Sequence, residues 1–152
     1  MLVVDDEAPA RKRLRMLLAE SRDVDVVGEA GSGAAAVDAI RDLAPDVVFL
    51  DIQMPEGDGF DVVSAIGVSD MPLTVFVTAF DEHAIQAFEV EALDYILKPF
   101  TPERLHATLD RVRARLAAQR AARIAARFPA RHADHDAFLH DAWRDEGARR
   151  RG

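Results

Sequence analysis

"PDVVFLDIQMPEGDGFDVV", Pro45 to Val63, decides how the chain is read. Four apolar residues, Val47 to Leu50, run straight into a carboxylate, Asp51. A strand apolar at every position is buried on both faces, which is the mark of a parallel sheet covered by helices. Met54-Pro55 and Gly57-Asp58-Gly59 then turn the chain before a short helix over Phe60 to Ile66. The glycines serve the turn; no Gly-rich phosphate loop follows any strand.

The pattern repeats on both sides. Leu2-Val3-Val4 ends in Asp5-Asp6-Glu7, and Ala8 to Glu20 has helical spacing with Leu14, Leu17 and Leu18 on one face. Val24 to Ala30 reads as a strand. Ser32 caps a helix over Ala34 to Leu43, with Val37 and Ile40 inward. Leu73 to Ala79 is another apolar strand, and Asp81 is positioned to cap a helix over Glu82 to Glu89. Leu93 to Pro99 is the last strand. Thr101-Pro102-Glu103 opens a long helix carrying Leu105, Leu109, Val112 and Leu116. Five alternations predict a doubly wound α/β domain, five parallel strands in the order 2-1-3-4-5.

The 152 residues suit one such domain, 1–118, with an extension over 119–152. Apolar spacing fades from Gln119 to Arg123, which predicts a protruding, fraying helix. The remainder, with Phe138, Leu139 and Trp143, reads as a disordered basic and His-rich tail. His132, His135 and His140 there lack a trustworthy metal-ligand spacing, as do His83 and His106. Cysteine is absent, which excludes disulfides, thiolate metal sites and cysteine nucleophiles. No run is long and apolar enough to span a membrane and no leader is recognisable, so a cytoplasmic setting is expected.

Charge divides the chain. Residues 1–100 hold 20 acids and 7 bases, a net of -13; residues 101–152 hold 7 acids and 12 bases, a net of +5. The acidic part is a poor nucleic-acid ligand, and no direct nucleic-acid binding is expected of residues 1–128.

In the order 2-1-3-4-5 the crevice beyond the first and third strands is the ligand site. Asp5 and Asp6, Asp51, Thr78 and Lys98 stand at four strand ends and converge there. Carboxylates so placed repel, and a hard cation such as Mg²⁺ relieves the repulsion. A carboxylate is also a nucleophile able to form an aspartyl phosphate. Phosphoryl transfer needs mainly positioning and charge neutralisation, which Mg²⁺ and Lys98 supply, with Thr78 as a hydroxyl donor.

"VVDDE" at 3–7, "FLDIQMPEGDG" at 49–59 and "VTAFDEHAIQAFEVEALDYILKPF" at 77–100 together resemble the receiver domain of two-component response regulators. The last block is especially similar to receivers of LytTR-type regulators. The resemblance implies Asp51 as phosphoacceptor and Asp5, Asp6 and Asp51 as Mg²⁺ ligands, with the Gln53 backbone carbonyl. It implies Thr78 and Lys98 as phosphoryl-contacting residues, Thr78 and Tyr95 as switch residues, and a cis Lys98–Pro99 bond. It further implies a sensor histidine kinase as donor, a second copy as a candidate partner, and no enzyme activity beyond slow self-dephosphorylation.

The family has more residues before the acidic pair, and LytTR-type regulators carry a strand-rich DNA-binding domain that residues after 128 do not resemble. A phosphate-independent interaction module, or a truncated relic of a longer regulator, is therefore the alternative. An aspartyl-phosphate hydrolase would want a second acid two residues after Asp51, where Gln53 stands.

Overall fold

A computed structural model describes residues 1–128. Chain contacts divide the protein into Met1–Val112 and a second unit starting at Arg113. The first unit holds five parallel strands, β1 (Leu2–Val4), β2 (Gly28–Ala30), β3 (Val47–Leu50), β4 (Leu73–Thr78) and β5 (Asp94–Leu97). Their order is β2-β1-β3-β4-β5, as the alternation of apolar runs and helices predicts. Helices α1 (Ala8–Leu18), α2 (Gly33–Leu43), α3 (Gly59–Ile66) and α4 (Ala84–Glu89) connect them, and α5 (Pro102–Arg127) follows.

The two faces of the sheet follow the two-residue period of strands. Leu2, Val4, Val48, Leu50 and Phe76 join Ala36 and Ile40 of α2, Phe60, Val62 and Val63 of α3, and Ala87 of α4 in one cluster. Val3, Phe49, Val75, Val77 and Ile96 alternate with these and are buried too. Leu14 of α1 lies against that second face. Thr108 bonds to Asp94 of β5 there, and Leu105, Leu109 and Val112 of α5 are buried.

Several local expectations hold. The Ser32 hydroxyl accepts from the Ala35 N–H, the Thr101 hydroxyl from that of Arg104, and Lys98–Pro99 is cis. Others need correction. Residues 24–27 are not strand, because β1 offers only three residues to pair with; Val27 N–H donates to Met1 O instead. Asp81 does not cap the fourth helix with its side chain. That helix starts at Ala84 behind His83, and the Asp81 main-chain carbonyl accepts from Ala84 N–H. The capping box of α3 is formed by Asp58 and Asp61, a Asp-x-x-Asp signal the sequence carried unread.

In the second unit, residues 113–127 continue α5, a helical extension as the sequence suggests, and Phe128 follows. Seven alanines among residues 113–127 account for the persistence, alanine having the highest helix propensity. The expected tail from 129, including Phe138, Leu139, Trp143 and the three histidines at 132, 135 and 140, lies outside the described residues.

Candidate functional site

Strand register builds the site. Val4 is aligned with Leu50 and Ala30, so Asp5 and Asp51 are each one residue beyond the ladder. The ladder nevertheless extends to their main chains: Asp5 N–H donates to Ala30 O at 3.1 Å and Asp51 N–H to Val4 O at 3.0 Å. Thr78 is aligned with Leu97, and Lys98 N–H donates to Thr78 O at 2.7 Å. Parallel strands therefore deliver all four residues to one rim.

Asp5, Asp6 and Asp51 offer carboxylate oxygens within 4.8 Å of one another. Asp5 and Asp51 are buried and Asp6 is exposed. Oxygen-only donors so grouped fit a hard divalent cation of the Mg²⁺ class. Asp5 is further fixed by the Glu7 N–H, 2.9 Å from its Oδ1, a turn contact rather than a helix cap, because the N-cap is Glu7. The Lys98 ammonium donates to Oδ2 of Asp5 at 2.5 Å and to Oδ2 of Asp51 at 3.2 Å.

Burial pushes the Asp51 carboxyl up from its ordinary value; the Lys98 charge opposes this and the Asp5 charge adds to it. Burial would lower Lys98, but its hydrogen bond to Asp5 and the charges of Asp51 and Asp5 outweigh that and hold it raised. Lys98 is thus a fixed cation among acids.

Gly59 sits behind the C-terminal end of β3. A Cβ at this position would meet Asp51 O at 2.7 Å, and Gly59 N–H donates to Ile52 O at 2.8 Å. Only glycine lets α3 begin this close to the main chain of Asp51.

Thr78 is fully buried, and among the described residues its hydroxyl is the buried side-chain atom without a hydrogen-bond partner. Such a group costs about 1–3 kcal/mol, so an orphan at a polar rim is poised for a ligand oxygen. Tyr95 stands on β5, half-buried, its ring 6.5 Å from that of Phe76. Its hydroxyl donates to the main-chain carbonyl of Phe80. Burial raises its pKa, opposed by the His83 backbone hydrogen bond. Gln53 is exposed, two residues beyond Asp51. All predicted residues thus gather at one end of the sheet except Tyr95, which lies on its flank beside β4.

Two features escaped the sequence. Asp94 is buried and receives Arg104 on both oxygens, at 3.0 and 2.9 Å, and Thr108 Oγ1 at 2.6 Å, with Arg111 at 3.3 Å. Arg104 also donates to Tyr95 O at 3.2 Å. Burial of Asp94 would raise its pKa, but the hydrogen bonds from Arg104, Thr108 and the Tyr95 N–H bring it down to about 2. The second is a hollow of about 350 Å³ lined by Val3, Leu14, Phe49, Val77 and Phe100, with Asp5 and Lys98 at its edge. Its lining is apolar, so the chemistry belongs to the acidic lip.

Residues 1–110 match the model of the response regulator receiver domain. The chain is 50% identical over 111 residues to an uncharacterized response regulatory protein of Vibrio vulnificus, covering 73% of this chain and 46% of that one. It is 46% identical over 119 residues to the transcriptional regulatory protein BtsR of Escherichia coli, covering 78% and 50%. It thus spans about half the length of the curated relatives it matches. Among solved structures, the response regulatory domain of the protein mrkE from Klebsiella pneumoniae superposes with a TM-score of 0.68 at 34% identity, over 75% of this chain and 96% of that one.

Proposed function

The chain belongs to the response regulator receiver domain family, and on that basis we propose that it is a phosphorylation switch whose phosphoacceptor is Asp51. The single observation that carries the reading is the joint placement of three carboxylates, a cation and an orphaned hydroxyl at one strand rim. A sensor histidine kinase is the donor. An Oδ of Asp51 attacks phosphorus as the bond to the donor imidazole nitrogen breaks, leaving an acyl phosphate on Asp51. Asp5, Asp6 and Asp51, with the Gln53 carbonyl, would hold Mg²⁺. When bound, the ion neutralises phosphoryl charge.

Lys98 needs no recruitment, since its ammonium already touches Asp51. The new phosphoryl oxygens give it a stronger partner, and give the Thr78 hydroxyl the acceptor it lacks. Movement of Thr78 toward the phosphoryl group opens room beside β4, into which the Tyr95 ring turns once its bond to Phe80 O breaks. The face around Tyr95, α4 and β5 then changes for a partner or a second copy. The phosphoryl group shifts the population only because it binds one arrangement better.

The role is that of a phosphoacceptor, with only slow self-dephosphorylation. The block "AFEVEALDYILKPF" supports placing the chain near the LytTR-type regulators. Among the described residues no helix is long and apolar enough to cross a membrane, and the acidic charge of residues 1–100 supports a protein rather than a nucleic-acid partner for that part.

Intact mass after incubation with Mg²⁺ and a small phosphodonor tests the proposal. One added phosphoryl group in the parent and none in Asp51→Asn is expected. A folded parent that gains nothing, or an Asp51→Asn variant that gains as much, overturns it.

A further inference from the structure

The main chain that carries Lys98 borders a hollow rather than packed core. Lys98 N–H donates to Thr78 O at 2.7 Å, and Pro99, without an N–H, cannot continue the ladder. Lys98, Pro99 and Phe100 then line one side of the hollow of about 350 Å³, and Ala10, Arg13 and Leu14 of α1 line another. In a close-packed interior neighbouring side chains hold one another in place. Beside a hollow of this size that restraint is missing on one side.

Arg13 bridges the two sides. Its Nη2 donates to Phe100 O at 2.8 Å, and its guanidinium lies 4.6 Å from the centre of the Phe100 ring. One planar cation therefore grips both the carbonyl and the ring of the same residue. Arg11, on the same helix, donates from Nη1 to Asp5 O at 2.7 Å. Thus α1 carries one arginine tied to the main chain of Asp5 and one tied to the main chain two residues beyond Lys98. Asp5 and Lys98 are the pair whose side chains meet at 2.5 Å.

We propose that Arg13 is a positioning residue: by clamping Phe100 to α1 it fixes the Lys98 ammonium against Asp5 and Asp51. It acts through Phe100 rather than at the reacting atoms. Phosphoryl transfer depends mainly on positioning and charge neutralisation, and a misplacement of about 1 Å can cost on the order of a hundredfold in rate. For its consequence in rate the inference rests on Asp51 as phosphoacceptor. For its consequence at Lys98 it rests on geometry alone.

The lysine itself supplies the test. Lys12 and Lys98 are the only lysines of the chain, so the full-length protein made with isotope-labelled lysine gives two side-chain signals, which Lys12→Arg assigns. A lysine held in one geometry keeps its two ε-methylene protons inequivalent, whereas one that rotates averages them. The parent's Lys98 should show inequivalent protons and exposed Lys12 averaged ones. Arg13→Met keeps side-chain length and helix propensity, and Arg13 is exposed, so the fold is retained; circular dichroism checks it. In this variant Lys98 should average while Lys12 stays as it was. Arg13→Lys, which keeps a cation for the ring and an N–H for the carbonyl, should restore part of the inequivalence. The rate of Asp51 phosphorylation by a small phosphodonor, followed by intact mass, should fall about tenfold or more in Arg13→Met and recover in part in Arg13→Lys. A small donor leaves out any contact of Arg13 with a kinase. Averaged Lys98 protons in the parent overturn the inference, as does a Lys98 signal unchanged in Arg13→Met. So does an Arg13→Lys variant no better than Arg13→Met, or a phosphorylated parent matched in rate by Arg13→Met. A parent that takes no phosphoryl group fails as a switch, and the lysine spectrum then decides the placement of Lys98 by itself.

Discussion

Lys98 is closer to Asp5 than to Asp51: its ammonium lies 2.5 Å from one carboxylate and 3.2 Å from the other. The cation therefore sits between a residue suited to hold metal and the residue suited to accept phosphate. Anything that takes Asp5 away frees Lys98 toward Asp51. Occupation of the acidic cluster and readiness of the lysine are thus two sides of one exchange of partners.

Mg²⁺ should raise the melting temperature, because a ligand that binds only the native state stabilises it by mass action. Asp6 is the member to remove, being exposed and free of the Lys98 contact. Asp6→Asn should keep the parent's stability without Mg²⁺ and lose the Mg²⁺-dependent rise in a thermal melt. An undiminished rise would place the ion elsewhere.

Thr78→Val keeps the shape and deletes the orphaned hydroxyl. The unphosphorylated protein should gain about 1 kcal/mol, the low end of the cost of an unsatisfied buried group. The phosphorylated variant should lose its response at the Tyr95 face. Chemical denaturation measures the first effect and tyrosine fluorescence with and without phosphodonor the second. A destabilised variant would mean that the hydroxyl is bonded in solution.

Asp51→Asn should stabilise the metal-free protein, since burial, with the Asp5 charge added, disfavours the charged form. The sign follows from the raised native pKa. The folded state holds its proton more tightly than the unfolded chain, so stability falls as pH rises from the ordinary value of 3.8 through the raised one. Denaturation from pH 3 to 7 should show this slope in the parent and its reduction in the variant.

Asp94 has the opposite sign. Its native pKa of about 2 lies below the ordinary 3.8, so its contribution of roughly 2 kcal/mol is complete above that value and lost as pH falls toward 2. Asp94→Asn should lose about that much at pH 7, because the charged partner of Arg104 is gone, and should flatten the acid limb of the stability curve. An unchanged acid limb would show that the cluster is not held in solution.

Fold and rim were legible because they are written in local patterns. Val47 to Leu50 and Leu73 to Val77 read as buried strands, and the acid or lysine just past β1, β3 and β5 is visible in one dimension. What was hidden depends on pairing. The extent of β2 is set by β1, twenty-odd residues away, so the apolar Val24, Val26 and Val27 misled. Asp81 was overridden by its own carbonyl, an alternative that composition does not reveal. The Asp94 cluster joins side chains 10 to 17 residues apart. In the sequence Asp94 reads only as a strand residue before Tyr95.

The Arg104 clasp has a kinetic meaning. It grips Asp94 and the carbonyl of Tyr95 at once, so β5 cannot slide on α5 without losing a partly buried ion pair. The tyrosine ring, by contrast, is tethered by a single hydrogen bond. A message passing through Tyr95 is then written in a side-chain rotation about a stationary strand, a motion of nanoseconds to microseconds. Formation and loss of the acyl phosphate are slower by many decades. The output would follow the covalent event without lag, and the duration of the signal would be the lifetime of one bond.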